Sequence, residues 1–178
     1  ILLLLERWTK AKEGRETLSD LLSTATSDDL MERLAALAYE VHQTYGDQPG
    51  TPEIDESLLY KHLKPLGRIV AARLIPYLSE NAGVLVSPGQ DAEKEVFKFA
   101  HRTFQEYLAA AHIVTLCHKR EKPSDEISYQ LVRDLIESKP QQWRLPCTLV
   151  GDVLADTGRG NVWVLLDDLL DEAPQALI

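Results

Sequence analysis

The spacing of apolar residues changes period several times along the chain, and each change marks an element. Ile1 to Leu5 are all apolar, and Glu6 and Arg7 end the run before Trp8. The run reads as the last turns of a helix whose body lies upstream. It lacks the preceding basic region of a secretory leader and falls short of the roughly 20 apolar residues of a membrane span. Residues 10–27 are polar except around Leu18, Leu21 and Leu22, a short amphipathic piece. Leu30, Leu34, Leu37, Ala38 and Val41 then recur at helical spacing behind a cap at Asp28 or Asp29. That helix is expected to stop near Gly46. Gly46, Pro49, Gly50 and Pro52 make residues 46–53 a loop. Asp55 is expected to cap a second helix with Leu58, Leu59 and Leu63 inward, closed by Pro65. A third helix carries Leu66, Ile69, Val70, Leu74 and Leu78 inward, and Pro76 should kink it.

The β pattern comes next. Val84-Leu85-Val86 follows Gly83, residues 87–95 are turn-rich and charged, and Val96-Phe97-Lys98-Phe99 alternates out of that turn. Two short strands joined this way make a β-hairpin. Three helices and then a hairpin is the order of a winged-helix domain. A fourth helix is expected to open on a capping box, Thr103-x-x-Glu106, with Phe104, Tyr107, Leu108, Ala111 and Val114 on its buried stripe. After Pro123 the pattern is again helical, at about 126–138, 141–156 and 162–173, and Gly158 and Gly160 break the last two. Such helices can stack as a solenoid, although no fixed period repeats. The fold class is therefore mainly α: a winged-helix domain with one small β-hairpin, followed by a helical, repeat-like segment.

Composition narrows the partners. Of the 178 residues, 44% are hydrophobic and 26% charged, ordinary for a globular chain that buries a core without metal or disulfide help. The formal net charge of −9 opposes nucleic acid or an anionic membrane as the main partner. Cys117 and Cys147 have no framework spacing and read as reduced thiols of a cytoplasmic protein.

Several patterns imitate chemistry. Val164 to Glu172, apolar and then acidic, resembles a magnesium-binding strand, but Leu165, Leu166, Leu169 and Leu170 fall at helical spacing with the acids opposite. His112, Cys117 and His118 could be taken for a metal cluster. On one helix, however, His112 and Cys117 diverge by about 140°, whereas zinc ligands must converge. A winged helix also raises DNA binding. The third helix offers only Arg68 and Arg73, and the wing loop sets Asp91, Glu93 and Glu95 against Lys94, so phosphate repulsion prevails. Finally, no glycine is followed by lysine, so the Gly-Lys-Ser/Thr phosphate loop of an NTPase is missing from this chain. No catalytic residue and no metal ligand is expected in it.

Residues 97–111, FKFAHRTFQEYLAAA, closely resemble a motif that ends the winged-helix part of NACHT proteins, signal-transduction NTPases that include the NOD-like receptors. Phe97, Phe99, His101, Thr103, Phe104, Gln105, Glu106, Tyr107, Ala109 and Ala110 fit that pattern, and Leu108 belongs to the same structural motif. Leu3-Leu4-Leu5-Glu6-Arg7-Trp8 resembles the segment that closes the NTPase part. Gln142-Trp143 resembles the start of the helical repeats that follow. The resemblance implies four segments: the end of the upstream NTPase helical region at 1–9, a linker at 10–27, the winged helix at 28–118, and the start of a superhelical repeat domain at 119–178.

The resemblance also implies a role. The chain would be a non-catalytic regulatory fragment of a signalling or defence NTPase, coupling the ADP/ATP state of an upstream domain to a downstream sensor. His101 is the nucleotide-sensing candidate, because the matching histidine in related receptors reaches the β-phosphate of ADP. The competing reading is a packed histidine that holds strand to helix. Gln105 and Glu106 read as capping and helix-surface residues. ADP or ATP and Mg2+ belong to the parent, with no cofactor in the fragment. The expected partners are intramolecular, the NTPase domain and the sensor, with no nucleic acid and no membrane, and the resemblance leaves room for oligomerisation of the parent on activation. The rival function is a helical protein-interaction scaffold without nucleotide coupling, and winged-helix DNA binding ranks behind it.

Overall fold

A computed structural model describes residues 18–22, 25–87, 95–119, 129–158 and 162–166. The expected helix at 1–9, most of the wing loop and most of the last helix lie outside the described residues. In chain order the elements are α1 (Leu18–Leu22), α2 (Ser27–Tyr45), β1 (Ile54–Asp55), α3 (Glu56–Leu63), a 3-10 turn (Lys64–Leu66), α4 (Arg68–Pro76), a π turn (Tyr77–Asn81), β2 (Leu85–Val86), β3 (Val96–Phe99), α5 (Arg102–Lys119), α6 (Gln130–Ser138) and α7 (Pro140–Thr157). Residues 162–166 are also helical. The chain packs as two compact units, Ile1–Leu37 with Pro49–Phe104, and Ala38–Gln48 with Gln105–Ile178.

In the first unit α2 starts on a reciprocal cap. The Asp29 amide donates to the Thr26 hydroxyl at 3.1 Å, and the Thr26 amide donates back to the Asp29 carboxylate at 2.8 Å. The expected cap at Asp28 or Asp29 is thus corrected to Thr26, with Asp29 as the reciprocal partner. These bonds hold the Asp29 carboxyl below its ordinary range. Leu30, Leu34 and Leu37 are buried, as their spacing requires. Asp55 caps α3 as expected, accepting the Ser57 amide at 2.8 Å.

The sheet is the expected hairpin plus one strand that periodicity could not show. Its order is β1-β3-β2, antiparallel throughout. Ile54 pairs with Phe97, and Leu85 with Phe99. A strand of two residues has no period to read, so Ile54–Asp55 looked like loop and cap. Phe97 and Phe99 point to the core and alternate with half-buried Val96 and Lys98. Lys98 pairs with Glu53 at 3.2 Å.

The third helix differs from expectation. Pro65 starts a 3-10 turn, Gly67 takes φ 119°, and α4 begins only at Arg68. That shift rotates Ile69 outward: it is 76% exposed, whereas Ala71, Leu74 and Ile75 are buried. Pro76 ends α4, and the backbone widens into the π turn, closed by the Ala82 amide on the Tyr77 carbonyl at 2.9 Å.

The second unit has its own core, in which Ile113, Val114, Cys117, Tyr129, Val132, Trp143, Val150 and Leu154 pack together. α7 ends at Gly158, which adopts φ 62° and donates to the Leu154 carbonyl. α7 also runs through Pro146, which the sequence reading did not flag. Pro146 has no N–H for the Gln142 carbonyl four residues back. Instead His42 Nε2 donates to that carbonyl at 2.8 Å, which fixes the proton on Nε2. The Gln142 side chain returns the tie, its amide donating to the His42 and Gln43 carbonyls. Trp143 stacks edge-on against His42, with ring centroids 4.9 Å apart.

Candidate functional site

The motif that resembles the family lies on β3, the junction after it and the first turns of α5. β3 supplies Phe97 and Phe99, both in the core. Phe99 meets the ring of Phe104 at 6.3 Å between centroids. The Ala100 amide donates to the Val84 carbonyl at 3.0 Å, which anchors the end of the hairpin. His101 follows Ala100 in the two-residue junction between strand and helix, and it is exposed. Its neighbour Arg102 donates through Nη1 to the Gly50 carbonyl at 2.7 Å and tethers the loop after α2. Sequence reasoning missed that tether, because an arginine at a helix start carries no signal of where it reaches.

The structure corrects the expected capping box. α5 already begins at Arg102, so Thr103 lies within the first turn and is exposed. Glu106 is 6% exposed and Gln105 only 1%, so both are core residues and neither is on the helix surface. The buried face of α5 is Gln105, Leu108, Ala109, Ile113 and Val114. Phe104, expected to be fully buried, is half-buried, as is Tyr107. The Tyr107 hydroxyl donates to Asp156 at 3.2 Å, and its pKa is pushed up to about 12 by burial first and then by Asp156.

Among the described residues no three His, Cys, Asp or Glu side chains are grouped to hold a metal ion. His118 bonds the Val114 carbonyl through Nδ1, His112 lies against the Tyr39 ring, and Cys117 is buried. At the junction, His101 offers a ring nitrogen to solvent. One donor does not make a nucleotide site, and the parts that cradle phosphates are not in this chain.

Residues 1–113 match the model of the winged helix-turn-helix domain C-terminal to NACHT. The chain belongs to this family. Comparisons with curated proteins and with solved structures return no match. The match extends over α1 to α4, the hairpin and the first two-thirds of α5, and so takes in the motif at 97–111. The winged helix is a non-catalytic part of such proteins, a regulatory region downstream of the NACHT domain. Among the described residues of this NACHT fragment, no helix is long and apolar enough to cross a membrane.

Proposed function

We propose that this winged helix couples the nucleotide state of an upstream NACHT domain to a downstream sensor, with His101 as the contact that reads ADP. The observation that carries the reading is the position of His101. It is exposed, it stands between a strand anchored by Ala100 and a helix tethered by Arg102, and it belongs to the region that follows NACHT. A histidine used for packing would be buried between strand and helix. A histidine presented from a fixed junction can donate through one ring nitrogen to a phosphate oxygen. Bound ADP would then hold the closed arrangement, and ATP would release it, because a ligand shifts an equilibrium only by its differential affinity for the two states.

The test is ADP release from the full-length parent. A charge-assisted bond is worth about 1.5–3 kcal/mol, or roughly ten- to a hundred-fold in retention. His101→Ala should therefore speed ADP dissociation by that factor while the isolated 178-residue chain keeps its melting temperature. An unchanged dissociation rate in a folded parent would remove His101 from the mechanism. The chain itself should bind no Mg-ATP by calorimetry, since it lacks the phosphate loop.

A further inference from the structure

The loop ahead of β1 holds the family motif on both sides of His101. Before it in the chain, Lys98 Nζ lies 3.2 Å from the Glu53 carboxylate. After it, Arg102 Nη1 donates to the Gly50 carbonyl at 2.7 Å, a bond between residues 52 positions apart. β1 continues the loop and pairs with β3, Ile54 opposite Phe97, so loop and motif share one frame. The loop is also shaped for the contact. Pro49 and Pro52 lie on either side of Gly50 and restrict the backbone there. Gly50 takes φ 81°, a conformation that residues with a Cβ rarely adopt, although nothing lies within 4 Å of where its Cβ would be. The glycine thus serves the direction of the backbone rather than space, and that direction aims its carbonyl.

We infer that residues 49–53 form a brace that positions His101, with Arg102 as the positioning residue, and that ADP retention by the parent depends on this brace. The inference rests on the reading of His101 as the contact to ADP. Exposed charged contacts of this kind add little to global stability. Their effect lies in orientation. A donor to a phosphate oxygen must be held at hydrogen-bond distance and angle, and a side chain free to swing keeps that geometry only part of the time. Because the junction is two residues long, a shift of Arg102 is carried directly to His101. The competing role for Arg102 is direct contact with the phosphate, and Gly50 tells the two apart. A change at Gly50 disturbs the brace and leaves the arginine in the chain.

Gly50→Val puts a branched side chain at positive φ and should re-aim the carbonyl, whereas asparagine tolerates that region. In the full-length parent, Gly50→Val should speed ADP dissociation by about three- to ten-fold, and Gly50→Asn should stay within about two-fold of the unsubstituted protein. The acceleration should vanish in a His101→Ala background, because a group that acts through His101 then has nothing to position; a general loss of stability would persist there. In the 178-residue chain, the ring carbon–proton signals of His101 should shift or broaden in Gly50→Val and stay in place in Gly50→Asn. Unchanged ring signals in Gly50→Val overturn the brace whatever the ADP rates are. So does an unchanged dissociation rate in Gly50→Val where His101→Ala is faster, a result that leaves the reading of His101 intact. Fast release in Arg102→Ala with an unchanged rate in Gly50→Val would make Arg102 a direct phosphate contact and also refute the brace. An unchanged rate in His101→Ala itself would remove the nucleotide reading, and with it the role inferred for the brace.

Discussion

Among the described residues two helices contain an internal proline, and each proline denies one backbone carbonyl its usual amide. In α7, Pro146 frees the Gln142 carbonyl, and His42 bonds it at 2.8 Å inside the core of the same unit. The helix continues for another eleven residues to Thr157. In α4, Pro76 has no amide to offer the Ala72 carbonyl, and the helix gives way to a π turn. The same covalent defect thus lies inside a continuing helix in α7, where His42 supplies a donor, and at a helix end in α4. Proline alone does not decide whether a helix ends.

Breaking the tie should have the largest effect. His42→Ala removes a buried ring from Trp143 and strands the Gln142 carbonyl, at a cost of about 3–4 kcal/mol in urea unfolding. Gly46 guards the same tie, since a Cβ there would lie 2.5 Å from the His42 carbonyl oxygen. A loss under about 1 kcal/mol would mean that the tie is incidental.

The proline pair sharpens the comparison at smaller scale. Pro76→Ala offers the Ala72 carbonyl the helix amide that proline lacks and should stabilise by about 1 kcal/mol. Pro146→Ala restores an amide to a carbonyl that already has a donor and should change stability by less than about 0.5 kcal/mol. Equal gains from the two would break the distinction.

How much of this was legible follows the same physics. The apolar periods located α2, α3, the hairpin and the helices after Pro123, because burial on one face imposes a period on the sequence. The sequence also held the family motif and the Asp55 cap. It did not reveal β1, whose two residues are too few for a period, nor the outward turn of Ile69, which depends on where the 3-10 turn hands over to α4. Gln105 and Glu106 looked like surface residues because polarity usually means exposure, and only the packing around α5 shows them buried. The His42–Gln142 tie joins residues a hundred positions apart, and no local pattern encodes such a pair.

The smallest expected effect is on the alkaline side. Burial, and then the neighbouring Cys117, push the Cys147 thiol up from 9.0 to about 12. The folded state favours the neutral thiol, so this contribution is full below pH 9.0 and is lost as the pH rises through about 12. Tyr107 adds to the loss from 10.0 to about 12. Urea midpoints taken between pH 8 and 11 should fall, and Cys147→Ala should flatten the part that begins near pH 9.0. A parallel fall in the variant would place the titration elsewhere.

The central claim is that this winged helix changes place with the nucleotide bound upstream. Spin labels on Ile69→Cys, which is exposed on α4 within the winged helix, and on an exposed site of the NACHT domain measure it in the full-length parent. Cys117 and Cys147 are buried and will not compete for the label. The account predicts one distance distribution with ADP and a second, separate one with a non-hydrolysable ATP analogue, with His101→Ala populating the second even in ADP. A single distribution, the same for both nucleotides, would contradict it.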